Sequence, residues 1–224
     1  MSGPFEAITG RLESATKHPL GAYIEERQHA LLLEALQPRA GELVVDIGAD
    51  VGRIARLVAG QPGVRVIATE PSPTLLRLGE QRSRGYDVEW RQGPSDAVPV
   101  EDGSADAVLL VTTLEFVRKP QDVVAEARRV LRPGGRMVVG VLSALSPWAA
   151  LYRYLGSQGV SPWTSARLWT SGELSDLLSV PQSDVRGAVY LASCARPPFD
   201  EADQAGERAG NHPAYLVARS DREA

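Results

Sequence analysis

The chain has 224 residues, 43% of them hydrophobic and 23% charged, with a formal net charge of −4. An acidic chain of ordinary globular composition is a poor match for nucleic-acid phosphates, and no apolar run reaches the length of a membrane span. A single cysteine, Cys194, excludes a disulfide framework or a thiolate metal cluster within the chain, and His18, His29 and His212 are too scattered to suggest a metal site. The N-terminus lacks an apolar signal core, so the expected address is cytoplasmic.

Residues 22–37 place Ile24, Leu31, Leu32, Ala35 and Leu36 on one helical face. Pro38 ends this helix, because the residue before a proline is pushed out of helical geometry. LVVDI (43–47) is an apolar run of the kind that forms a strand buried on both faces. VGRIARLVA (51–59) has helical spacing and stops at Gly60. VRVIATE (64–70) predicts a second strand. In the helix predicted over 72–83, Ser72 is placed to cap and Pro73 takes the first position. Residues 88–91 and 106–112 read as strands, 120–131 as a helix opened by Pro120 and closed by RPGG, and 136–142 as a fifth strand.

After residue 142 the pattern changes. Residues 143–170 hold three of the four tryptophans, then a short helix is expected at about 172–179. Residues 184–194 and 214–220 look like two more strands, with a long, polar, acidic loop between them. There is no internal repeat and no linker between separate domains.

Alternating apolar strands and amphipathic helices call for a mostly parallel α/β sheet covered on both faces. Right-handed crossovers place the strand-to-helix turns at one edge, where ligands of such sheets sit. Residues 46–52, 70–72, 93–96 and 112–116 should therefore converge. In DIGADVG, Gly48 and Gly52 permit a tight turn that aims backbone N–H groups at a ligand. An ordinary glycine turn is the plain alternative. Glu70 follows Gly48 by 22 residues and can accept hydrogen bonds from both hydroxyls of a ribose, or be a solvated acid at a strand end. The dinucleotide pattern G-x-G-x-x-G is not met, because the spacing here is Gly48-x-x-x-Gly52.

The order of VVDIGADVG, ATEPSP, VPVEDGSADAV, TTLEFV and EARRVLRPGGRMVV resembles the class I S-adenosylmethionine-dependent methyltransferases, in particular their type 11 small-molecule group. The resemblance covers about residues 22–142. It implies a Rossmann-like, doubly wound, mostly parallel seven-stranded sheet with an antiparallel C-terminal strand, here carrying an aromatic-rich insertion. It also implies S-adenosyl-L-methionine as cofactor, a small-molecule acceptor, and neither nucleic acid nor membrane as partner. By the same resemblance Asp46 lies near the methionine amino group. Gly48, Ala49 and Gly52 line the methionine with backbone. Glu70 holds the ribose, Pro71 and the Ser95 backbone with Asp96 frame the adenine, and Thr112 borders the methionine side. Three residues depart from the pattern. Asp50 stands at the family's middle glycine, Pro94 where an aspartate is common, and Phe116 where many members carry histidine.

Methyl transfer from a sulfonium is an in-line displacement, in which an acceptor proton can require a base. His18, just before the first helix, and Glu115, after the fourth strand, are the candidates; surface or helix-entry roles are the plain alternatives. Trp148, Tyr152, Trp163 and Trp169 either wall an acceptor pocket or pack the insertion onto the sheet. Arg153 and Arg167 are available to an acidic acceptor. The expected single domain divides into an N-terminal helical lid (1–40), a cofactor-binding core (41–142), an insertion that caps the acceptor (143–171), and a C-terminal helix with a strand hairpin (172–224). An inactive S-adenosylmethionine-binding partner or sensor is the rival reading, and a nicotinamide dehydrogenase a third.

Overall fold

A computed structural model describes residues 17–223. The first part of the expected lid, 1–16, lies outside the described residues. The elements run α1 (Pro19–Leu36), β1 (Leu43–Ile47), α2 (Arg53–Ala59), β2 (Arg65–Glu70), α3 (Pro73–Arg82), β3 (Val88–Gln92), β4 (Ala105–Val111), α4 (Pro120–Val130) and β5 (Leu131–Leu142). Then come α5 (Pro147–Ser157), α6 (Ser171–Leu178), a 3-10 turn at Gln182–Asp184, β6 (Arg186–Ala188), α7 (Phe199–Arg208) and β7 (Tyr215–Asp221).

One seven-stranded sheet has the order β3-β2-β1-β4-β5-β7-β6. β1 pairs in parallel with β2 and β4, β2 with β3 and β4 with β5, as the buried apolar runs require. β7 is antiparallel to both β5 and β6. Alternate residues of each strand feed two cores. On one face Val45, Ile47, Val108, Leu110, Val139 and Val141 meet α4 and α6; on the other Val44, Val66, Leu109 and Val138 meet α1 and α2.

Local chemistry sets the helix ends. α1 begins three residues earlier than its apolar spacing suggests, since Pro19 is already in helical geometry at the first position. Ser72 caps α3 by accepting from the Leu75 N–H at 3.3 Å. Thr170 and Glu173 form a reciprocal capping box on α6. β5 is longer than expected: Leu131 pairs with Ala105 and Arg136 with Ala107, so the RPGG turn is looped out within the strand.

Two expectations at the C-terminus are corrected. The strand expected over 184–194 pairs only at Arg186–Ala188. Val189, at φ 67, turns the chain out of the sheet, and the Tyr190 and Leu191 amides go to the Asp203 carboxylate instead. The polar loop expected after it contains α7. That helix buries Asp203 and Gly206 with Phe199 and Ala202 beside them, a stripe at helical spacing that holds only one large apolar side chain. Asp203 ties α7 to α1, accepting from Tyr23 Oη at 3.0 Å and pairing with Arg27 at 3.3 Å.

Candidate active site

The C-terminal ends of β1, β2, β4 and β5 form the ligand edge. After β1 the chain makes a turn of three left-handed residues, Gly48 (φ 76), Asp50 (φ 50) and Gly52 (φ 76). The Gly48 and Ala49 N–H groups donate to Thr69 O at 2.9 and 3.0 Å, and Gly52 N–H donates to Ala49 O at 2.8 Å while capping α2. Glycine is required at 48 for a second reason: an added Cβ would lie 2.8 Å from Thr113 Cγ2. Thr113 Oγ1 in turn donates to Ile47 O at 2.9 Å, fixing the end of β4 against the turn. The adjacent Thr112 is also left-handed (φ 50) and hydrogen-bonds to Gly140 O through its amide at 2.8 Å.

Asp50 carries part of the turn. Its N–H donates to Glu70 Oε2 at 3.0 Å, while Ser72 N–H donates to Glu70 Oε1 at 2.9 Å. Glu70 therefore pins the turn and still offers lone pairs at the strand end. Burial pushes the Glu70 carboxyl up to about 7, against the two amides that favour its charged form. Asp46 is 2% exposed, and its Oδ2 has no hydrogen-bond partner among the described residues. Burial, with Glu70 nearby, pushes it up to about 7 as well.

Three carboxylates thus crowd one turn. Such an edge repels a diphosphate, which a nicotinamide dinucleotide would bring, and attracts a cation. An orphaned buried carboxylate oxygen beside a glycine turn fits a ligand with an ammonium and a sulfonium, and Glu70 fits its ribose. Asp50→Gly removes a left-handed residue with a side chain, a strain of about 1 kcal/mol. S-adenosylhomocysteine should then bind equally or more tightly by calorimetry. A loss of about tenfold, near 1.4 kcal/mol, would show that the aspartate contacts the cofactor or braces the turn.

Beyond β4, Glu115 is 1% exposed, not a surface acid. Its Oε1 accepts from Leu142 N–H at 2.7 Å, its Oε2 has no partner among the described residues, and its carbonyl accepts from Arg167 N–H at 2.8 Å. Burial holds this carboxyl up at about 8. Tyr152, pushed up to about 12 by burial and the nearby Glu115, stacks on Trp163 with ring centroids 4.4 Å apart. Phe116 tilts against the same indole at 6.1 Å. Trp148 donates from Nε1 to Leu191 O at 2.9 Å. Segment 143–169 is an excursion with a closed base: Trp169 N–H donates to Leu142 O at 3.0 Å and Ala144 N–H to Trp169 O at 2.7 Å.

Trp169 is corrected as an acceptor wall. It is 1% exposed and packs in the α4/α6 core, on the opposite face of the sheet from Trp148, Tyr152 and Trp163. Arg167 lies over its ring at 4.1 Å and pairs with Glu173 at 3.1 Å, and Arg153 donates to Ala144 O at 2.7 Å. Pro71 and Asp96 are exposed and Ser95 half-buried; Ser95 and Asp96 sit in a turn closed by Ala97 N–H on Pro94 O. His18 is exposed at the start of α1. That end of α1 faces the ligand edge, because Glu25 pairs with Arg53 at the first residue of α2 while Leu36 O takes Arg136 at the other edge. A cavity of about 680 Å³ lies on that far edge, between Arg128, Leu131, Leu178 and Arg222. Its arginines are already partnered, Arg128 by Leu178 O, Arg222 by Arg128 O and Arg129 by Glu126 and Asp102, so it is a seam between elements.

Sheet order, glycine turn, acid at the end of β2 and reversed last strand together define a class I methyltransferase fold. Residues 45–139 match the family described as "Methyltransferase domain". The chain is 38% identical over 122 residues to a demethylmenaquinone methyltransferase of Tropheryma whipplei, covering 52% of this chain and 50% of that one. It superposes on a possible histamine N-methyltransferase from Thermotoga maritima with a TM-score of 0.71, at 21% identity over 98% of both chains. A Streptomyces coelicolor geranyl diphosphate C-methyltransferase in complex with S-adenosyl-L-homocysteine gives 0.62, at 18% identity over 90% of this chain and 81% of that one. Residues 45–139 thus carry a methyltransferase domain of the type 11 kind, whose cofactor is S-adenosyl-L-methionine. The chain spans only 33% to 54% of the length of the first curated relatives it matches.

Proposed function

We propose that the chain transfers a methyl group from S-adenosylmethionine to a small, neutral, largely apolar acceptor. The carrying observation is the juxtaposition at one edge of an acid-lined glycine turn and the Phe116–Trp163–Tyr152 ring cluster. The cofactor supplies an already activated methyl group, so the protein's task is alignment and exclusion of water, worth roughly 7–11 kcal/mol. Asp46 would hold the ammonium, Glu70 the ribose hydroxyls, the 48–52 backbone and Thr112 the methionine, and Pro71, Ser95 and Asp96 the adenine. Trp148, Tyr152 and Trp163, with the 143–171 excursion, would cover the acceptor. Arg153 and Arg167 point to other partners, which favours a neutral acceptor over an acidic one. Burial favours the neutral form of the Glu115 carboxyl, which would serve as a hydrogen-bond donor more readily than as a base. His18 is the solvent-facing base candidate.

Calorimetry with S-adenosylhomocysteine, followed by a labelled-methyl screen, tests this reading. The screen should include a demethylmenaquinone analogue, geranyl diphosphate and histamine, the acceptors named for the relatives. No binding at millimolar concentration sinks it. Binding without transfer to any acceptor favours the inactive partner or sensor, for which Asp50, Pro94 and Phe116 speak.

A pH dependence follows from Asp46 and Glu70, which ionise near pH 4 when unfolded but at about 7 in the fold. Raised acids contribute stability that is complete below the unfolded pKa and lost as pH rises through the folded value. A cationic ligand has the opposite preference and favours their charged forms. S-adenosylmethionine affinity should therefore rise from pH 6 to 8, by up to about tenfold per pH unit for each proton released. S-adenosylhomocysteine, which lacks the sulfonium charge, should gain less. Equal, flat profiles would remove these acids from the site.

A further inference from the structure

Trp90, on β3, is wedged between two glycines from different elements. Gly79 lies inside α3, where alanine is normally the better residue. An added Cβ there would collide with Cη2, Cζ2 and Cζ3 of the Trp90 ring. A Cβ on Gly52 would likewise lie 2.5 Å from Cζ2 and 3.0 Å from Cη2, with Ser83 Oγ at 3.2 Å. The six-membered ring therefore occupies the room that both glycines vacate, directly behind the last residue of the cofactor turn.

Packing for stability alone does not explain the choice of tryptophan. Trp90 Nε1 and Ser83 Oγ are both buried without a hydrogen-bond partner among the described residues. A buried indole N–H left unmatched is a cost that phenylalanine would not carry. What tryptophan adds is reach: the far carbons of its second ring are the atoms that touch Gly52 and Gly79.

We infer that Trp90 is a positioning residue, a wedge that sets the backbone of residues 48–52 from behind and so holds the shape that the turn presents to the cofactor. Gly79 is the clearance that lets the wedge seat. The inference deepens the reading of 46–52 as the cofactor turn, and it rests on that reading only for its effect on affinity.

Two readouts test it on the full chain. In the free protein, the Ala49, Asp50 and Gly52 amides are hydrogen-bonded, so their deuterium exchange reports the turn directly. Trp90→Phe should speed their exchange by about tenfold or more while the β5–β7 ladder exchanges as in the wild type. Gly79→Ala, which forces the indole forward, should do the same. Both should weaken S-adenosylhomocysteine binding by roughly five- to thirtyfold. In the Trp90→Phe background the sign of Gly79→Ala reverses: the clash is gone, the helix gains its ordinary alanine stabilisation, and Tm rises. Wild-type exchange at the turn in both single variants, or an equal effect of Gly79→Ala in the two backgrounds, overturns the wedge. The exchange result decides this even if the wild type binds no S-adenosylhomocysteine, a failure that would count against the proposed function alone.

Discussion

Glu70→Ala is expected to weaken S-adenosylhomocysteine binding by about 3 kcal/mol, a loss of roughly 100-fold or more in Kd. Two losses combine. The ribose hydroxyls lose a charged acceptor, and the Asp50 and Ser72 N–H groups lose the carboxylate that holds the turn to the start of α3. Glu70→Gln separates them, since the amide keeps one acceptor oxygen but not two. It should pin one amide, leave the fold intact and bind with an intermediate Kd. An alanine variant that binds as the wild type does, by calorimetry, would mean the ribose is held elsewhere. The free protein should move the other way with pH: without this buried acid, the stability lost as pH rises through about 7 shrinks.

Asp203→Ala should destabilise the fold by about 3–5 kcal/mol, from two backbone donors and a phenol left unpaired at about 1–3 kcal/mol each. Asp203 is 2% exposed, and one carboxylate receives the Tyr190 and Leu191 amides, the Tyr23 hydroxyl and Arg27. Removal orphans two backbone donors and a phenol together and uncouples α7 from α1. A fall in Tm of about 10 °C is the expected calorimetric result for a chain of this size. A fall under 2 °C would show that water replaces the carboxylate at no cost. Tyr23→Phe, which removes one donor and leaves the amides paired, should cost about 1 kcal/mol.

The central sheet was readable because parallel strands buried on both faces leave continuous apolar runs, and LVVDI marks β1 residue for residue. The turn after β1 was readable because left-handed φ values call for glycine, and Gly48 and Gly52 supply them. Asp50 stood out for the same reason, although its backbone link to Glu70 has no sequence signal. α7 left helical spacing at Phe199, Ala202, Asp203 and Gly206, but so acidic and apolar-poor a stretch after two prolines reads as a solvated loop. Trp169 was misplaced because an aromatic-rich stretch does not say to which face of a sheet each ring returns. Trp90 did leave a mark: an isolated glycine in the helical stretch PTLLRLGEQR signals the close approach of another group. Glu115 was placed on the correct edge, but its burial depends on the return of residues 167–169 beside it, a contact between segments more than 50 residues apart in sequence.

The closed base of segment 143–169 makes the fold modular. Ser143 and Trp169 are bridged like neighbouring strands, so their backbones lie about 5 Å apart. Anything grafted between them need only begin and end at adjacent points, and the entropy of closing such a loop grows slowly with its length. The sheet, the glycine turn and the Trp90 wedge are untouched by such an exchange. If the segment covers the acceptor as proposed, acceptor choice can drift, or be engineered, as a cassette plugged into a fixed socket, with the Arg167 amide on the Glu115 carbonyl and the Trp148 indole on Leu191 O among the latches a replacement must reproduce.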